Sequence, residues 1–250
     1  YEIGQESRLV HQKNNILKAV KESYISWFAK EYLKGLPEQL EYGIGREELI
    51  RVFHSKLYSL VHKNQLHTLK KIQPEYKKDT SEQAFKYFRN CFIEVTKDKM
   101  VCHDYKDLDS TIWDSQIIDR DFIPVSKEEC VESDFCKFIF NCMGKDTKRY
   151  ASMITIIGYL VHTYKDSANA KAIIFCDQGI SETPNGGSGK SLTGRALSML
   201  VKTAIEDGKT FKATAAFPFQ QIEFDTKQIW IDDAAKDFDF ESLFNPITNG

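Results

Sequence analysis

The sequence predicts an α+β fold, with an N-terminal, mostly helical domain followed by an α/β domain built around a phosphate-binding loop. Three observations carry this reading. Apolar residues recur at helical spacing through much of the first 164 residues, and CFIEVTKDKMVCHDY (91–105) changes to strand-like alternation. Further on, NGGSGKS (185–191) lies between a short apolar run and an amphipathic stretch, the setting in which a glycine-rich loop opens a helix.

The elements follow in order. From Asn14 to Lys34, Ile16, Val20, Tyr24, Trp27 and Phe28 share a helical face, and Gly35 with Pro37 supplies the stop. A second helix carries Leu49, Val52, Phe53, Leu57 and Leu60, with its start near Gly45. The polar, lysine-rich segment 62–80 reads as a connection leading to a short helix from Ser81 to about Phe88. A hairpin then turns at Lys97-Asp98, and Ile112 with Trp113 anchors the mixed stretch 108–122. Helices are predicted over 133–143 and 148–164, the second burying Met153, Ile156, Ile157, Leu160 and Val161.

The α/β part opens with Ala172 to Asp177 as a buried strand. A helix follows from Ser191 to about Ile205, with Leu192, Ala196, Leu197, Leu200 and Val201 on its apolar face, and Gln228 to Ala234 reads as a strand ending in paired acids. The expected divisions are a helical, basic region over 1–80, a mostly helical domain with a hairpin over 81–166, and the phosphate-loop domain over 167–250.

Composition narrows the class. The chain is 42% hydrophobic and 28% charged with a formal net charge of −2, so it carries no global basic footprint for nucleic acid. Residues 1–80 hold 14 Lys/Arg against 10 Asp/Glu, whereas 223–241 hold seven acids and two lysines. The longest apolar runs, such as MITIIGYLV (153–161), are far short of the roughly 20 residues of a membrane span, and no basic-then-apolar leader is present. A cytoplasmic protein without membrane attachment is expected. The six cysteines form no C-x-x-C pair and read as free, buried thiols of a reducing compartment rather than as a zinc site.

The chemistry concentrates at two places. A triphosphate needs several converging donors, and successive backbone N–H groups at a helix N-terminus supply them without side chains in the way. Asn185, Gly186, Gly187, Ser188 and Gly189 have the small size for such a wrap, and Leu192 completes the set of loop and first-turn residues. Lys190 would reach the β and γ phosphates, and the Ser191 hydroxyl would hold Mg2+. Pro184 stands where the usual motif has its first glycine and removes one donor at the loop entrance. The second place is Ile229-Trp230-Ile231-Asp232-Asp233: Asp232 would serve Mg2+ through bound water, and Asp233 would orient or activate the attacking water. Read alone, the glycine-rich turn could be a flexible helix cap and the aspartates a solvated strand end. Together they point to a nucleotide site using ATP and Mg2+. A nucleotide kinase would need an arginine-bearing lid, and Arg195 is the sole arginine after Arg149.

NGGSGKS, WIDDA (230–234) and FDFESLFNPITNG (238–250) together resemble the helicase part of phage and plasmid primase-helicases, in superfamily 3 and akin to the poxvirus type, nearest a family of phage or mobile-element DNA helicases of Bacteroidales. YFRNCFIEVTKD (87–98), IIDRDF (117–122) and the FCKFIF and GYLVHTY helices resemble the domain that precedes the ATPase there. The likeness covers about residues 85–250. It implies an AAA+-like ATPase domain, cut short at its C-terminal end, that assembles as a hexameric ring in the bacterial host cytoplasm and moves along single-stranded DNA. Lys190 and Ser191 match the family's first motif, Asp232 and Asp233 its second, and Leu243 to Gly250 the start of its third. The family's polar sensor and arginine finger would follow residue 250, and without such a finger hydrolysis is expected to be weak, by on the order of 10³-fold. The alternative from the residues themselves is a P-loop ATPase of another class, a packaging or regulatory switch protein without helicase activity.

Overall fold

The computed structural model describes residues 1–3, 8–66, 69–166, 168–177, 186–215, 218–223 and 225–249. From the N-terminus the elements run β1 (Glu2–Ile3), β2 (Arg8–Lys13), β3 (Ile16–Ala19), α1 (Glu22–Lys34), α2 (Arg46–Leu60), α3 (Lys63–Leu66) and β4 (Lys71–Ile72). They continue with β5 (Gln83–Phe88), β6 (Phe92–Thr96), β7 (Met100–His103), β8 (Ile112–Trp113), β9 (Ile117–Ile118), α4 (Lys127–Val131), α5 (Asp134–Cys142) and α6 (Thr147–Val161). The last are α7 (Lys190–Ser198), β10 (Thr203–Asp207), β11 (Gln228–Asp232) and α8 (Phe244–Asn249). The chain is therefore a mixed α+β structure, and it divides into two compact units, 1–77 with 108–114, and 78–107 with 115–250. No helix among the described residues is long and apolar enough to cross a membrane.

Beside its helices the first unit holds a five-stranded sheet of order β4-β1-β2-β3-β8, which the helical reading of the N-terminal region leaves out. The expected helix from Asn14 begins instead at Glu22. Asn14 sits in the left-handed region at φ 54°, which asparagine tolerates, and with Asn15 it forms the two-residue turn of the β2–β3 hairpin. Ile16 and Val20 do match helical spacing, but Leu17, which that face leaves out, is fully buried once β3 lies between β2 and β8. Ile112, equally buried, pairs with Ile16 across the parallel β3–β8 contact. Segment 62–80 is not a bare connection, because it supplies α3, β4 and a bridge from Tyr76 to Thr111. Tyr76 also stacks on Trp113, and Lys77 is ion-paired with Asp109 at 2.9 Å. The helix starting after Gly45 is present as α2, with Gly45 at its N-cap, and it packs against α1.

The second unit opens on a four-stranded sheet of order β7-β6-β5-β9. Its first strand, β5, overturns the helix expected over 81–88. Phe85 and Tyr87 alternate onto the buried side, and the ladder with β6, from Gln83–Thr96 to Tyr87–Phe92, satisfies the backbone that a helix would have satisfied locally. The β6–β7 hairpin turns at Lys97-Asp98 as the alternation predicts, closed by the Thr96 N–H donating to the Lys99 carbonyl. Asp79 ties this sheet to the helices: one carboxylate oxygen accepts from the Phe85 N–H at 2.9 Å, and the other accepts from the Thr163 N–H at 2.7 Å and hydroxyl at 2.9 Å.

The helices α5 and α6 lie close to their expected spans because both start on strong caps. Ser133 accepts from the Cys136 N–H, and Asp146 accepts from the N–H groups of Lys148 and Arg149. Between them Gly144 and Lys145 take left-handed conformations, which turns the chain back so that Ile139 and Met153 are buried. The cysteines of the chain are free thiols, but only Cys91 is buried, while Cys102, Cys130 and Cys176 are exposed.

Ile112→Ala deletes a fully buried side chain at the β3–β8 contact. It should destabilise the first unit by about 2–5 kcal/mol, read as a lower denaturant midpoint for that unit's transition.

Candidate functional site

The candidate site lies where α7 meets β11, both in the second unit. Strand β11 pairs in parallel with β10, from Thr203–Gln228 to Asp207–Asp232, so Asp232 stands at the end of the strand. Two of the chain's expectations change here. Residues 171–177 run without forming a strand, and the ladder consists of β10 and β11. Helix α7 stops at Ser198 rather than near Ile205, because Thr203–Asp207 are drawn into pairing with β11, burying Ala204.

Two glycines set how closely these elements approach. Gly194, inside α7, faces Trp230 of β11 so tightly that a Cβ would lie 2.4 Å from the indole. The other face of the arrangement is Phe175, whose ring stacks on Trp230 at 5.4 Å between centroids. Gly189, the N-cap of α7, has φ 86°, and a Cβ there would meet the Phe138 ring at 2.7 Å and the Cys142 sulfur at 2.8 Å, both from α5. A side chain at 189 is thus opposed twice, by the left-handed backbone and by α5. Gly186 and Gly187 also have positive φ, 57° and 79°, and open space beside them. Three such glycines before a helix give the small, curved backbone that a phosphate wrap requires. Asn185 and Pro184 fall outside the described residues.

The polar groups then assort. The Ser191 hydroxyl donates to Asp232 Oδ1 at 2.9 Å, joining residues 41 apart in sequence. The Lys190 ammonium donates to Asp177 Oδ1 at 2.7 Å and to Ser188 Oγ at 2.8 Å. Thr193, buried in the first turn, donates its hydroxyl to the Gly189 carbonyl at 3.0 Å and fixes the cap. The first-turn N–H groups of Lys190, Ser191 and Leu192 have no intrahelical acceptor, as at any helix start, while the Leu192 side chain is exposed. Asp233 does not share the partner of Asp232. It takes a left-handed conformation at φ 55° and is ion-paired with Lys209, whose ammonium is held above its ordinary pKa by the hydrogen bond to Asp233. Gly208 makes this possible: its N–H donates to the Asp232 carbonyl at 2.6 Å, and a Cβ there would strike the backbone of Ala234.

Lys190 is therefore joined to Asp177 and Ser188, Ser191 is joined separately to Asp232, and Asp233 stands beside them with a cation of its own. As a donor set, one carboxylate and one hydroxyl suit a hard cation that keeps waters and phosphate oxygens as its remaining ligands. No group of three or more His, Cys, Asp or Glu gathers among the described residues. Sequence reasoning missed Asp177 and Lys209. Neither lies in a motif, although an acid closing the apolar run just before the loop was a signal for the first. The glycine at 194, inside an otherwise helical pattern, was a signal for close packing. No protein-family model matches the chain, and no curated protein matches it.

Gly194→Ala should force the Trp230 ring to move and destabilise the second unit by about 1–3 kcal/mol, with a changed near-ultraviolet circular dichroism signal. The hydrogen bond from Lys190 holds the Asp177 carboxyl below the usual aspartate range. The pair is thus fully present above the ordinary aspartate pKa and is lost only as the pH falls through the lowered value, which a carbon-detected NMR titration of Asp177 should show as a midpoint below that of a free aspartate.

Proposed function

We propose that this chain is the ATP-binding, Mg2+-dependent motor module of a replicative DNA helicase, part of a primase-helicase of a phage or mobile element acting in the bacterial cytoplasm. The observation that carries the nucleotide reading is the hydrogen bond from Ser191 to Asp232, which gathers the hydroxyl after the loop lysine and the strand-end carboxylate at one point. The left-handed glycines before α7 support the same reading.

In this reading the amides from Gly186 to Leu192 bind phosphate oxygens, and Lys190 holds the β and γ phosphates by charge-assisted hydrogen bonds. Ser191 and Asp232 are the residues that would hold Mg2+, which when bound neutralises charge on the phosphate oxygens. Asp233, released from Lys209, orients the attacking water and accepts its proton. The helicase assignment, with single-stranded DNA as partner and a hexameric ring as the working assembly, is supported by the resemblance of residues 85–250 and by the order of the loop, the paired aspartates and FNPITNG.

Steady-state hydrolysis of MgATP with and without single-stranded DNA tests both levels. Lys190→Ala should abolish measurable nucleotide binding, and Asp232→Asn should lower Mg2+-dependent turnover on the order of 10²-fold. DNA should raise the turnover of the unaltered protein. Turnover that ignores DNA at every concentration moves the assignment to a packaging or switch ATPase, and absence of nucleotide binding removes the nucleotide reading itself.

A further inference from the structure

The loop lysine already has an anionic partner. Asp177 and Ser188 take two of the three donors of the Lys190 ammonium, at 2.7 and 2.8 Å. Asp177 belongs to the segment entering the loop, and Phe175, two residues earlier, is fixed by stacking on Trp230 of the strand that ends in Asp232. That anchor brings a carboxylate to the loop from a stretch that forms no ladder of its own. The two acids take different side chains: Asp232 accepts from Ser191, and Asp177 accepts from Lys190, which also donates to Ser188.

Resting on the nucleotide-site reading above, we propose that Asp177 is a built-in competitor of the phosphate chain, which holds Lys190 while the site is free of nucleotide and lowers the affinity of the site for polyphosphate. The physics is an exchange of counter-ions. A triphosphate offers Lys190 more negative charge than one carboxylate does, so the exchange favours the ligand. The displaced Asp177 then stands near like charge and loses its own pairing. About half of the Asp177 side chain is exposed, at 45%, so it can turn into water once released, and the pair it gives up is a weak one. Its charge therefore sets a modest threshold that a ligand must exceed and leaves the chemistry of hydrolysis to other groups.

Calorimetric titration with inorganic tripolyphosphate and with MgATP tests this in the unaltered chain, in the neutral variants Asp177→Asn and Asp177→Ser, and in Asp237→Asn as a control for overall charge. Both Asp177 variants should bind both ligands about two- to fivefold more tightly, the worth of an exposed ion pair, and Asp237→Asn should bind as the unaltered chain does. Binding that is unchanged or weaker in both Asp177 variants, while the unaltered chain binds, overturns the competitor role and leaves the nucleotide reading in place. Equal tightening in Asp237→Asn assigns the effect to net charge and likewise overturns it. If no variant binds either ligand, the nucleotide reading fails and this inference falls with it.

Discussion

The close approach of α7 to β11, with Trp230 pressed against Gly194, is the contact on which the site depends. A helix whose midpoint carries any side chain would stand farther from the strand, and the Ser191 hydroxyl would leave hydrogen-bond reach of Asp232. Parallel pairing of β10 with β11 fixes the other coordinate, because the register that sets Asp207 beside Asp232 decides where the strand ends. The apolar contacts do the positioning, and the polar groups are carried to their places by them. A hydrogen bond between exposed groups adds little by itself to the stability of such an arrangement.

The same economy of space governs the loop. Gly189 is pinned between its left-handed backbone and α5, where Phe138 and Cys142 leave no room for a Cβ. The α5–α6 pair is therefore a wall of the glycine-rich loop as well as a packed helical hairpin, and α6 also packs on α7. A shift of α5 would be felt first at Gly189, the residue that sets the direction in which α7 begins. Packed elements transmit such displacements because close-packed interiors have little free volume to absorb them.

Charge at the site is partitioned into three pairs: Ser191 with Asp232, Lys190 with Asp177, and Lys209 with Asp233. The adjacent aspartates at 232 and 233 diverge because the backbone reverses at Asp233, and Gly208 permits the backbone contact that accompanies the reversal. Two neighbouring carboxylates facing one point would repel each other. Separate hydroxyl and cationic partners keep the two carboxylates from facing one point.

Local chemistry made several features legible in the sequence by itself. The spans of α5 and α6, the turn at Lys97-Asp98, the start of α2 after Gly45 and the strand before Asp232 all follow from local residue types or from a clean period. The glycine-rich loop and the acid pair could be named for the same reason, since their residue types and spacing stand out in the sequence itself. The readings that failed were those in which a distant partner decides. Residues 16–19 and 83–88 satisfy a helical count, but neighbouring strands bury Leu17 and Phe85 and take up their backbone hydrogen bonds, so pairing prevails over period. Likewise Lys190 and Asp233 were visible as residues, but their partners Asp177 and Lys209 were not. Those pairings arise from the packing of α7 on β11 and the turn through Gly208, and a one-dimensional pattern carries no information about which charges such contacts bring together.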